Sequence, residues 1–461
     1  MSKNIDICIV GAGVAGGVIA ARLADLGHKV AVIERDYSEQ DRIVGELLQP
    51  GGVQKLKEMN LAHLLENIDA HKVPGYAMFL DESNFQIDYP RSKDTVYGLG
   101  FRNGKFVQNI RAYIQNHENV TCITGNVTEL IEDEDTVFGV RYTSPNAEGK
   151  QEMRAHLNII SEGPFSMFRD KFNKAQKEVS SYFIGLVMKN ADLPYPGHGH
   201  LVLSDPSPFL MYPISSTETR VLVDFPGTKP PKMGDTLKAK LKADYMPAVP
   251  EQTKPAFETA IDEGGFKMMP NHRLPAMPIK RKGAVLLGDS LNMRHPLTGG
   301  GMTAAFTDVQ NLSDQIKDVD FNDEKAVYKA IEKYYDSRHA KNATINILAD
   351  ALYGVMSNPN LKKACFEYLK SGGKKSEEPI AILSALSRNQ RTLEKHFFAV
   401  AFDGVKKQIK EKKNIQSIRE SITMIRDALN IVAPLLLAEK PKLPVKLFLK
   451  MLRYNVQRKA D

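Results

Sequence analysis

The chain has 461 residues, of which 42% are hydrophobic and 25% charged, and its formal net charge is +7. This length is enough for two or three domains. Its three cysteines, Cys8, Cys122 and Cys365, lie far apart, which argues against a disulfide framework and any metal cluster and favours a reducing compartment. The first apolar run begins at Ile5, so we expect no signal peptide, and no run reaches the ~18 apolar residues of a membrane-spanning helix.

The first 35 residues predict a βαβ unit. Apolar runs at 5–10 and 30–33 are typical of buried strands, and the Ala- and Leu-rich segment 18–26 between them is typical of a helix. The turn that opens the helix has the pattern G-x-G-x-x-G, with glycines at Gly11, Gly13 and Gly16. This context is the one that a dinucleotide-binding motif requires.

Each residue of the motif has a physical role in that interpretation. Gly11 permits the tight turn, Gly13 lets a pyrophosphate approach the backbone, and Gly16 lets the helix pack closely on the strand. The helix N-terminus offers unpaired N–H groups to the phosphates. Glu34, at roughly the 20-residue spacing expected, can accept hydrogen bonds from a ribose diol. The alternative is a glycine-rich structural turn.

The next part of the chain predicts a second, β-rich unit inserted into the nucleotide-binding unit. Arg42 and the Pro-Gly-Gly turn at 50–52 suit a loop that crosses the cofactor. The other predicted elements are helices at 53–65 and 106–117, strands at 76–89, 120–123, 127–131, 137–142 and 157–160, a β-rich region at 179–225, a helical region at 234–262 and a buried strand at 283–287. A sheet inserted in this way usually covers the substrate.

A second cofactor signal follows the last predicted strand. Asp289 stands at the strand's carboxyl end, where it could hold a sugar hydroxyl, and three glycines at 299–301 open a helix predicted from about 303 to 316. These glycines allow a flat ring to lie against the backbone, and the helix N-terminus points N–H groups at a developing anion. The alternative is a glycine-rich loop that happens to follow an acid.

From Glu324 to Asp461 the sequence predicts almost continuous helix. Lysines crowd 406–413, and the tail from Lys440 onward alternates basic and apolar residues. A basic, amphipathic terminus suits an anionic membrane surface, although it is also what a solvated helix face looks like. We expect no nucleic-acid binding, because no binding motif accompanies the charge.

Four longer strings carry a resemblance to a known family. They run from Asp41 to Gly52, from Ser215 to Asp224, from Asn292 to Met302 and from His396 to Ala401. Together with the glycine motifs, they resemble the squalene epoxidase (squalene monooxygenase) family over roughly residues 5 to 402. After Ala401 the resemblance becomes too weak to assign residues.

The resemblance implies a fold. It is α/β, with a Rossmann-like FAD-binding domain of the p-hydroxybenzoate hydroxylase type, an inserted β-sheet substrate domain and a C-terminal helical membrane-associated region. The implied FAD-binding parts are residues 1–75, 101–175 and 271–323, the substrate domain is 76–100 and 176–270, and the helical region is 324–461.

The resemblance also implies an activity. It is the FAD-dependent epoxidation of squalene by O2 to (S)-2,3-oxidosqualene, through a C4a-hydroperoxyflavin, in sterol or triterpenoid biosynthesis. NADPH electrons would come through a separate diflavin reductase, and the enzyme would be monotopic on the cytosolic face of the endoplasmic reticulum or microsomal membrane. Because squalene carries no charge or hydrogen-bonding group, shape and dryness must select it, and we expect no Ser-His-Asp or metal constellation.

Residue by residue, the resemblance extends the set of predicted site residues. The cofactor-binding positions become Gly11, Gly13, Val14, Ala15, Gly16, Glu34, Arg35, Arg42, Arg111, Val127, Asp289, Gly300, Gly301 and Met302. The active-site pair becomes Tyr76 with Gln49. The predicted substrate pocket comprises Tyr212, Pro296, Leu297, Phe366, Ile382 and His396.

Two departures and three rival functions remain. The family's Asp-Gly motif reads Glu162-Gly163 here, and the long N-terminal anchor of animal members is missing, so membrane attachment is expected from the C-terminal helices. The rivals are an aromatic hydroxylase or a prenyl reductase of the same class, and a non-catalytic prenyl-binding carrier of the same fold. Flavin content separates the carrier from the enzymes.

Overall fold

The structure is a computed structural model that describes residues 5–90, 96–412 and 415–439. The strands are β1 Ile7–Val10, β2 Val30–Glu34, β3 Leu47–Leu48, β4 His71–Val73, β5 Gly75–Leu80, β6 Ser83–Asp88, β7 Gly98–Gly100, β8 Val120–Thr124, β9 Asn126–Asp133, β10 Thr136–Ser144, β11 Ala147–Arg154, β12 Leu157–Ile160, β13 Glu178–Lys189, β14 Gly199–Val202, β15 Phe209–Pro213, β16 Glu218–Pro226, β17 Lys267–Arg273 and β18 Ala284–Leu286. The helices are α1 Val14–Asp25, α2 Pro50–Glu58, α3 Asn103–Gln115, α4 Asp235–Lys240, α5 Lys254–Glu263, α6 Gly301–Ile316, α7 Glu324–Met356, α8 Pro359–Lys370, α9 Lys374–Leu383, α10 Gln390–Lys412 and α11 Ile415–Glu439.

A five-stranded parallel sheet forms the nucleotide-binding unit, in the order β18-β12-β1-β2-β8. Strands β1, β12 and β18 are buried at every position, as expected for a parallel sheet covered on both faces. Helix α1 packs against α3 and α6 beside this sheet. The carboxyl ends of β1, β12 and β18 therefore meet at one edge, which is where the α/β class binds its ligands.

A seven-stranded sheet is formed by two separate stretches of the chain. Its order is β17-β13-β16-β15-β14-β5-β6, so residues 75–88 join residues 178–273 through the parallel pair β14 and β5. Two three-stranded antiparallel sheets, β11-β10-β9 and β3-β7-β4, complete the β structure. This arrangement is the inserted sheet that the sequence predicts, while the domain boundaries given above stay a prediction.

The helices of the C-terminal region pack on one another and on the seven-stranded sheet. Helix α7 contacts α6, α8 and α11, and α10 contacts α8 and α11. Side chains from α8, α10 and α11 share a buried apolar cluster with the sheet residues Tyr76, Phe183 and Tyr212. The predicted helical character is confirmed for the described residues 324–412 and 415–439, and the predicted basic tail at 440–461 lies outside the described residues. In the part of the chain that is described, no helix is both long and apolar enough to cross a membrane.

Candidate active site

The glycine turn after β1 leaves room for a ligand at one position only. Gly11 has φ +97°, and a Cβ there would lie 2.7 Å from the Ser161 carbonyl oxygen. A Cβ on Gly16 would lie 1.9 Å from the Gly11 carbonyl oxygen. A Cβ on Gly13 would meet nothing within 4 Å. Gly11 and Gly16 are therefore required by the packing of β1, β12 and α1, whereas Gly13 borders open space at the α1 N-terminus, next to Val14 and Ala15.

Glu34 closes β2 and is held beside this turn. Its Oε2 accepts a hydrogen bond from the Ala12 N–H (2.7 Å), and its Oε1 accepts one from the Asp36 N–H (3.1 Å). An ionised carboxylate has about four acceptor positions, so Glu34 keeps capacity for a ribose diol. The neighbouring Arg35 is exposed.

Arg111, on α3, ties the turn to the loop that follows β2. This buried side chain donates through Nε to the Ala12 carbonyl oxygen (3.0 Å) and through Nη1 to the Ser38 carbonyl oxygen (2.9 Å). Its Nη2 lies 3.7 Å from Glu34 Oε2. Arg111 therefore organises the nucleotide end mainly through backbone contacts. Val127 lies in β9 and is buried in the main apolar core.

Asp289 lies in the 3₁₀ turn directly after β18, where the sequence places it. The residue is accessible to solvent, yet the surrounding protein limits hydration of the carboxyl, and this raises its pKa. The positive charges of Arg294, Arg42 and Arg169 oppose that rise. Arg42 therefore lies near Asp289, although the two residues are far apart in the sequence. Arg169, which the sequence did not indicate, donates to the carbonyl oxygens of Gly163 (3.0 Å), Asp289 (3.3 Å) and Ser290 (3.1 Å).

The substitution of Glu162 for the family's aspartate is accommodated locally. Glu162 Oε2 accepts a hydrogen bond from the Ser166 hydroxyl (2.6 Å), and burial raises the pKa of its carboxyl. The following Gly163 N–H donates to Ser290 Oγ (3.0 Å). The longer side chain therefore makes its hydrogen bond within its own turn, while the Gly163 N–H bonds to the turn that contains Asp289.

The triple glycine opens α6 as predicted. Gly299 is left-handed (φ +61°), and a Cβ there would lie 3.2 Å from Gln49 Nε2. Gly300 caps the helix, which begins at Gly301, so the first N–H groups of α6 are free of intrahelical partners. Met302 is buried in the first turn. This N-terminus can receive the negative charge of a reduced ring system.

The predicted pair Gln49 and Tyr76 forms a buried hydrogen-bonded network. Gln49 Nε2 donates to the Tyr76 hydroxyl (2.5 Å) and to the Thr298 carbonyl oxygen (2.8 Å). Gln49 Oε1 accepts from the Tyr89 hydroxyl (2.9 Å). Burial raises the pKa of Tyr76, so its hydroxyl stays protonated. The network joins the seven-stranded sheet to the loop before α6. The active-site role of Gln49 and Tyr76 stays a prediction.

The predicted pocket residues fall into two groups. Tyr212, Leu297 and Phe366 lie with Tyr76 in one buried apolar cluster, and Pro296 is half-buried next to Leu297. Ile382 belongs to a separate cluster with Ile347, Ala351, Leu393, Val432, Leu435 and Leu436. His396 is buried between the Tyr368 hydroxyl (2.7 Å) and Glu378 Oε2 (2.6 Å). The structure therefore brings the first group to Tyr76, while the role of Ile382 and His396 in the pocket stays a prediction.

A serine, a histidine and an aspartate do lie close together in the interior, although not in the arrangement of a catalytic triad. Ser181 Oγ lies 3.0 Å from His295 Nε2, and Asp224 Oδ1 lies 3.7 Å from the same nitrogen. All three side chains are buried, and His295 Nδ1 accepts the Leu297 N–H (3.2 Å), so this is not the geometry of a nucleophile, base and orienting acid. These residues come from three distant segments, and no local pattern signals their meeting.

The fold is shared with solved monooxygenases. The p-nitrophenol 4-monooxygenase PnpA from Pseudomonas putida DLL-E4 is 19% identical with a TM-score of 0.69, covering 85% of this chain and 99% of that one. PqsL of Pseudomonas aeruginosa, described as a probable FAD-dependent monooxygenase, is 21% identical with a TM-score of 0.64, covering 80% and 100%. The glycine turn, Glu34, Asp289 and the α6 N-terminus lie along one edge of the parallel sheet. This is the class A FAD-dependent monooxygenase fold.

Comparison of sequences defines the family. The family model described as squalene epoxidase matches residues 154–422, and that described as glucose inhibited division protein A matches residues 6–182. Squalene epoxidase 2, mitochondrial, of Arabidopsis thaliana is 45% identical, covering 95% of this chain and 77% of the relative. Squalene epoxidase erg1 of Schizosaccharomyces pombe is 37% identical (95% and 99%), and squalene monooxygenase of Mus musculus is 40% identical (86% and 70%). The chain belongs to the squalene epoxidase family.

Proposed function

We propose that this protein is a squalene monooxygenase that uses FAD and O2 to epoxidise squalene to 2,3-oxidosqualene. The observation that carries the proposal is the Gln49–Tyr76 hydrogen bond, because it joins an apolar, buried cluster to the glycine loop that opens α6. A dry hydrocarbon site beside a flavin-binding edge is what an alkene monooxygenase requires.

The residues on the sheet edge fit FAD. The open space at Gly13 accommodates a pyrophosphate, and Glu34 has acceptor capacity for the adenosine ribose. Asp289, with Arg42 nearby, can hold the ribityl chain, and the unpartnered N–H groups of Gly301 and Met302 would be available to the ring system. When bound, FAD supplies the activation of O2 and the transfer of one oxygen atom to the alkene.

The protein's own contribution to the reaction is orientation and dryness. Tyr76 presents an aromatic ring to the apolar cluster while Gln49 binds its hydroxyl, so that this hydroxyl is not left unpaired beside the hydrocarbon. Tyr212, Leu297 and Phe366 exclude water from the same cluster. A terminal alkene has no proton to remove, so no general base is required.

The partners and location follow from the family resemblance. Electrons come from NADPH through a separate diflavin reductase, and the enzyme lies on the cytosolic face of the endoplasmic reticulum or microsomal membrane. Purified protein would be examined for bound flavin and then supplied with squalene, NADPH and an added reductase. Formation of the oxide supports the proposal. Flavin without oxide favours another class A monooxygenase or a reductase, and absence of flavin favours a carrier.

Replacing Tyr76 with phenylalanine should lower squalene turnover while FAD stays bound. The change removes one hydroxyl and leaves one N–H of the buried Gln49 amide unpaired, a cost of about 1–3 kcal/mol. Flavin occupancy and turnover are measured on the same preparation. Tyr182→Phe, in the same sheet but with its hydroxyl on the Thr228 carbonyl oxygen, is the matched control and should behave as wild type. Parallel loss of flavin and turnover would instead make Tyr76 a support of the cofactor or the fold.

Membrane attachment is proposed to use the C-terminal helices, and point substitutions test this better than a deletion. Deleting residues 403–461 would also remove the buried face of α11, including Met424, Ala428 and Val432. The variant Phe402→Ser/Ile422→Ser replaces two apolar side chains that are 57% and 63% exposed and leaves that face intact. It should reduce pelleting with vesicles that contain anionic lipid, most clearly when residues 440–461 are also deleted.

The control for this test is a pair of exposed apolar residues outside the helical region. Phe165 and Met167 are 69% and 64% exposed in the turn after β12, so Phe165→Ser/Met167→Ser removes a similar apolar area. Its pelleting should match wild type. Pelleting that does not change in any C-terminal variant would place the attachment elsewhere.

A further inference from the structure

His295, in the loop before α6, is bonded directly to the interior of the seven-stranded sheet. It is only 3% exposed and stands immediately before the 3₁₀ turn Pro296–Thr298. Its ring stacks on the Tyr353 ring of α7 with centroids 3.7 Å apart. The ring is thus fixed on its face as well as at both of its nitrogens.

The hydrogen bonds define which nitrogen of His295 carries the proton. A backbone N–H can only donate, so Nδ1, which faces the Leu297 N–H at 3.2 Å, must present its lone pair. In the neutral ring the proton is then on Nε2, which donates to Ser181 Oγ at 3.0 Å. The ring therefore caps the 3₁₀ turn with one nitrogen and bonds to strand β13 with the other.

The sheet side of this contact is itself rigid. Asn271 Nδ2, from β17, donates to Ser181 Oγ (2.9 Å) and to Asp224 Oδ1 (3.3 Å), and the Tyr353 hydroxyl donates to Asp224 Oδ2 (3.2 Å). Ser181, Asp224 and Asn271 are all 0% exposed. Three strands and helix α7 therefore fix the position of the acceptor that His295 meets.

The loop side leads directly to the predicted active-site pair. The turn capped by His295 ends at Thr298, whose carbonyl oxygen accepts from Gln49 Nε2 at 2.8 Å, and the same nitrogen donates to the Tyr76 hydroxyl at 2.5 Å. Gly299 and Gly300 follow and open α6. A displacement of this turn would move Gln49 and the N-terminus of α6 relative to Tyr76.

We propose that His295 is a positioning residue for oxygen transfer, which sets the register between the Tyr76–Gln49 pair on the substrate side and the α6 N-terminus on the flavin side. In this role it acts through Leu297 and Thr298 and not by contact with substrate or cofactor. The inference rests on the proposed function. Misplacing reacting groups by a fraction of an ångström to 1 Å lowers rates by roughly 10- to 100-fold.

Two replacements separate the two nitrogens. In His295→Asn the amide oxygen can still accept the Leu297 N–H near the Nδ1 position, as an N-cap asparagine does, but the contact with Ser181 is lost. In His295→Gln the amide reaches the Nε2 position instead, and the cap is lost. Both variants should keep FAD and the fold, lose about tenfold in kcat with the KM for squalene within about twofold, and release more hydrogen peroxide per NADPH consumed.

Ser181→Ala tests the same contact from the sheet. It should lower kcat and coupling in the same direction, and the double variant Ser181→Ala/His295→Asn should be no worse than His295→Asn, because both changes remove the same contact.

His200→Asn is the matched control. His200 is also fully buried in this sheet, where its ring nitrogens meet the His198 carbonyl oxygen and the Tyr195 N–H and its ring stacks on Phe79. It should lower the melting temperature without changing coupling or kcat per bound flavin.

The outcomes are distinct. Unchanged kcat and coupling in both His295 variants would overturn the inference, and so would losses that only follow flavin content and melting temperature as in His200→Asn. If a His295 variant does not fold, Ser181→Ala and the other His295 variant decide by the same readouts. Wild-type protein that makes no oxide would overturn the proposed function itself, whereas normal wild-type turnover with unaffected variants overturns only the role of His295.

Discussion

Asp289→Ala is expected to give folded protein that has lost most of its FAD. In the described part of the chain the Asp289 carboxylate makes no hydrogen bond, although it is accessible and has Arg42 and Arg294 within electrostatic reach. It is thus free to accept hydrogen bonds from the ribityl hydroxyls. Removing a hydrogen bond to a charged group costs about 1.5–3 kcal/mol, or roughly 10- to 150-fold in the dissociation constant. Flavin absorbance per mole of purified protein measures the effect.

The fold should tolerate this change, which makes the measurement specific. The position of the turn depends on Gly288, whose Cβ would lie 2.8 Å from the Ala15 Cβ, and on the backbone contacts of Arg169, none of which involves the Asp289 side chain. Asp135→Ala, at the exposed turn between β9 and β10, is the control and should keep its flavin. Full flavin content and activity in Asp289→Ala would show that this acid does not hold the cofactor.

The parts of the site that could be predicted from the sequence are those encoded by neighbouring residues. The βαβ unit, Glu34 at the end of β2, Asp289 after β18 and the glycines that open α6 each depend on a short stretch whose residue types require one local geometry. The predicted helix at 53–65 is instead α2, which begins at Pro50, followed by a 3₁₀ turn at Ala62–Leu65, because the left-handed Asn60 (φ 62°) breaks it.

Other contacts could not be predicted because they join segments far apart in the chain. His295 meets Ser181 across 114 residues, and Arg220 meets Glu46 across 174. His295 and Arg220 lie in segments that resemble the family, yet the sequence of neither segment indicates which distant residue it contacts. Ile382 and His396 were assigned to the pocket by resemblance alone, and both are buried among helices, so their role in the pocket stays a prediction.

Arg220→Met should strongly destabilise the protein, because it removes one partner of a buried ion pair. Arg220 and Glu46 form a bidentate ion pair with N–O distances of 2.6 and 3.0 Å, and their side chains are 3% and 0% exposed. The pair links β16 to the loop that carries Arg42 and Gln49. Removing one partner of a buried pair leaves an uncompensated charge and costs about 3–5 kcal/mol. Thermal and denaturant unfolding measure the loss, and Arg141→Met, from an exposed pair, should change stability by less than about 1 kcal/mol.

The pH dependence of the Arg220→Met variant tests the cause of that loss. Burial raises the pKa of the Glu46 carboxyl, and in the wild type the hydrogen bonds from Arg220 oppose that rise. Without Arg220 the folded state retains the Glu46 proton to higher pH than the unfolded state, whose carboxyl titrates near its usual value of about 4.3. The folded variant then binds more protons, so its stability falls as the pH rises above that value. We expect a larger deficit at pH 8 than at pH 5.5, and Glu46→Gln/Arg220→Met should recover much of the loss and flatten the pH dependence. A deficit independent of pH would mean that Arg220 acts through packing.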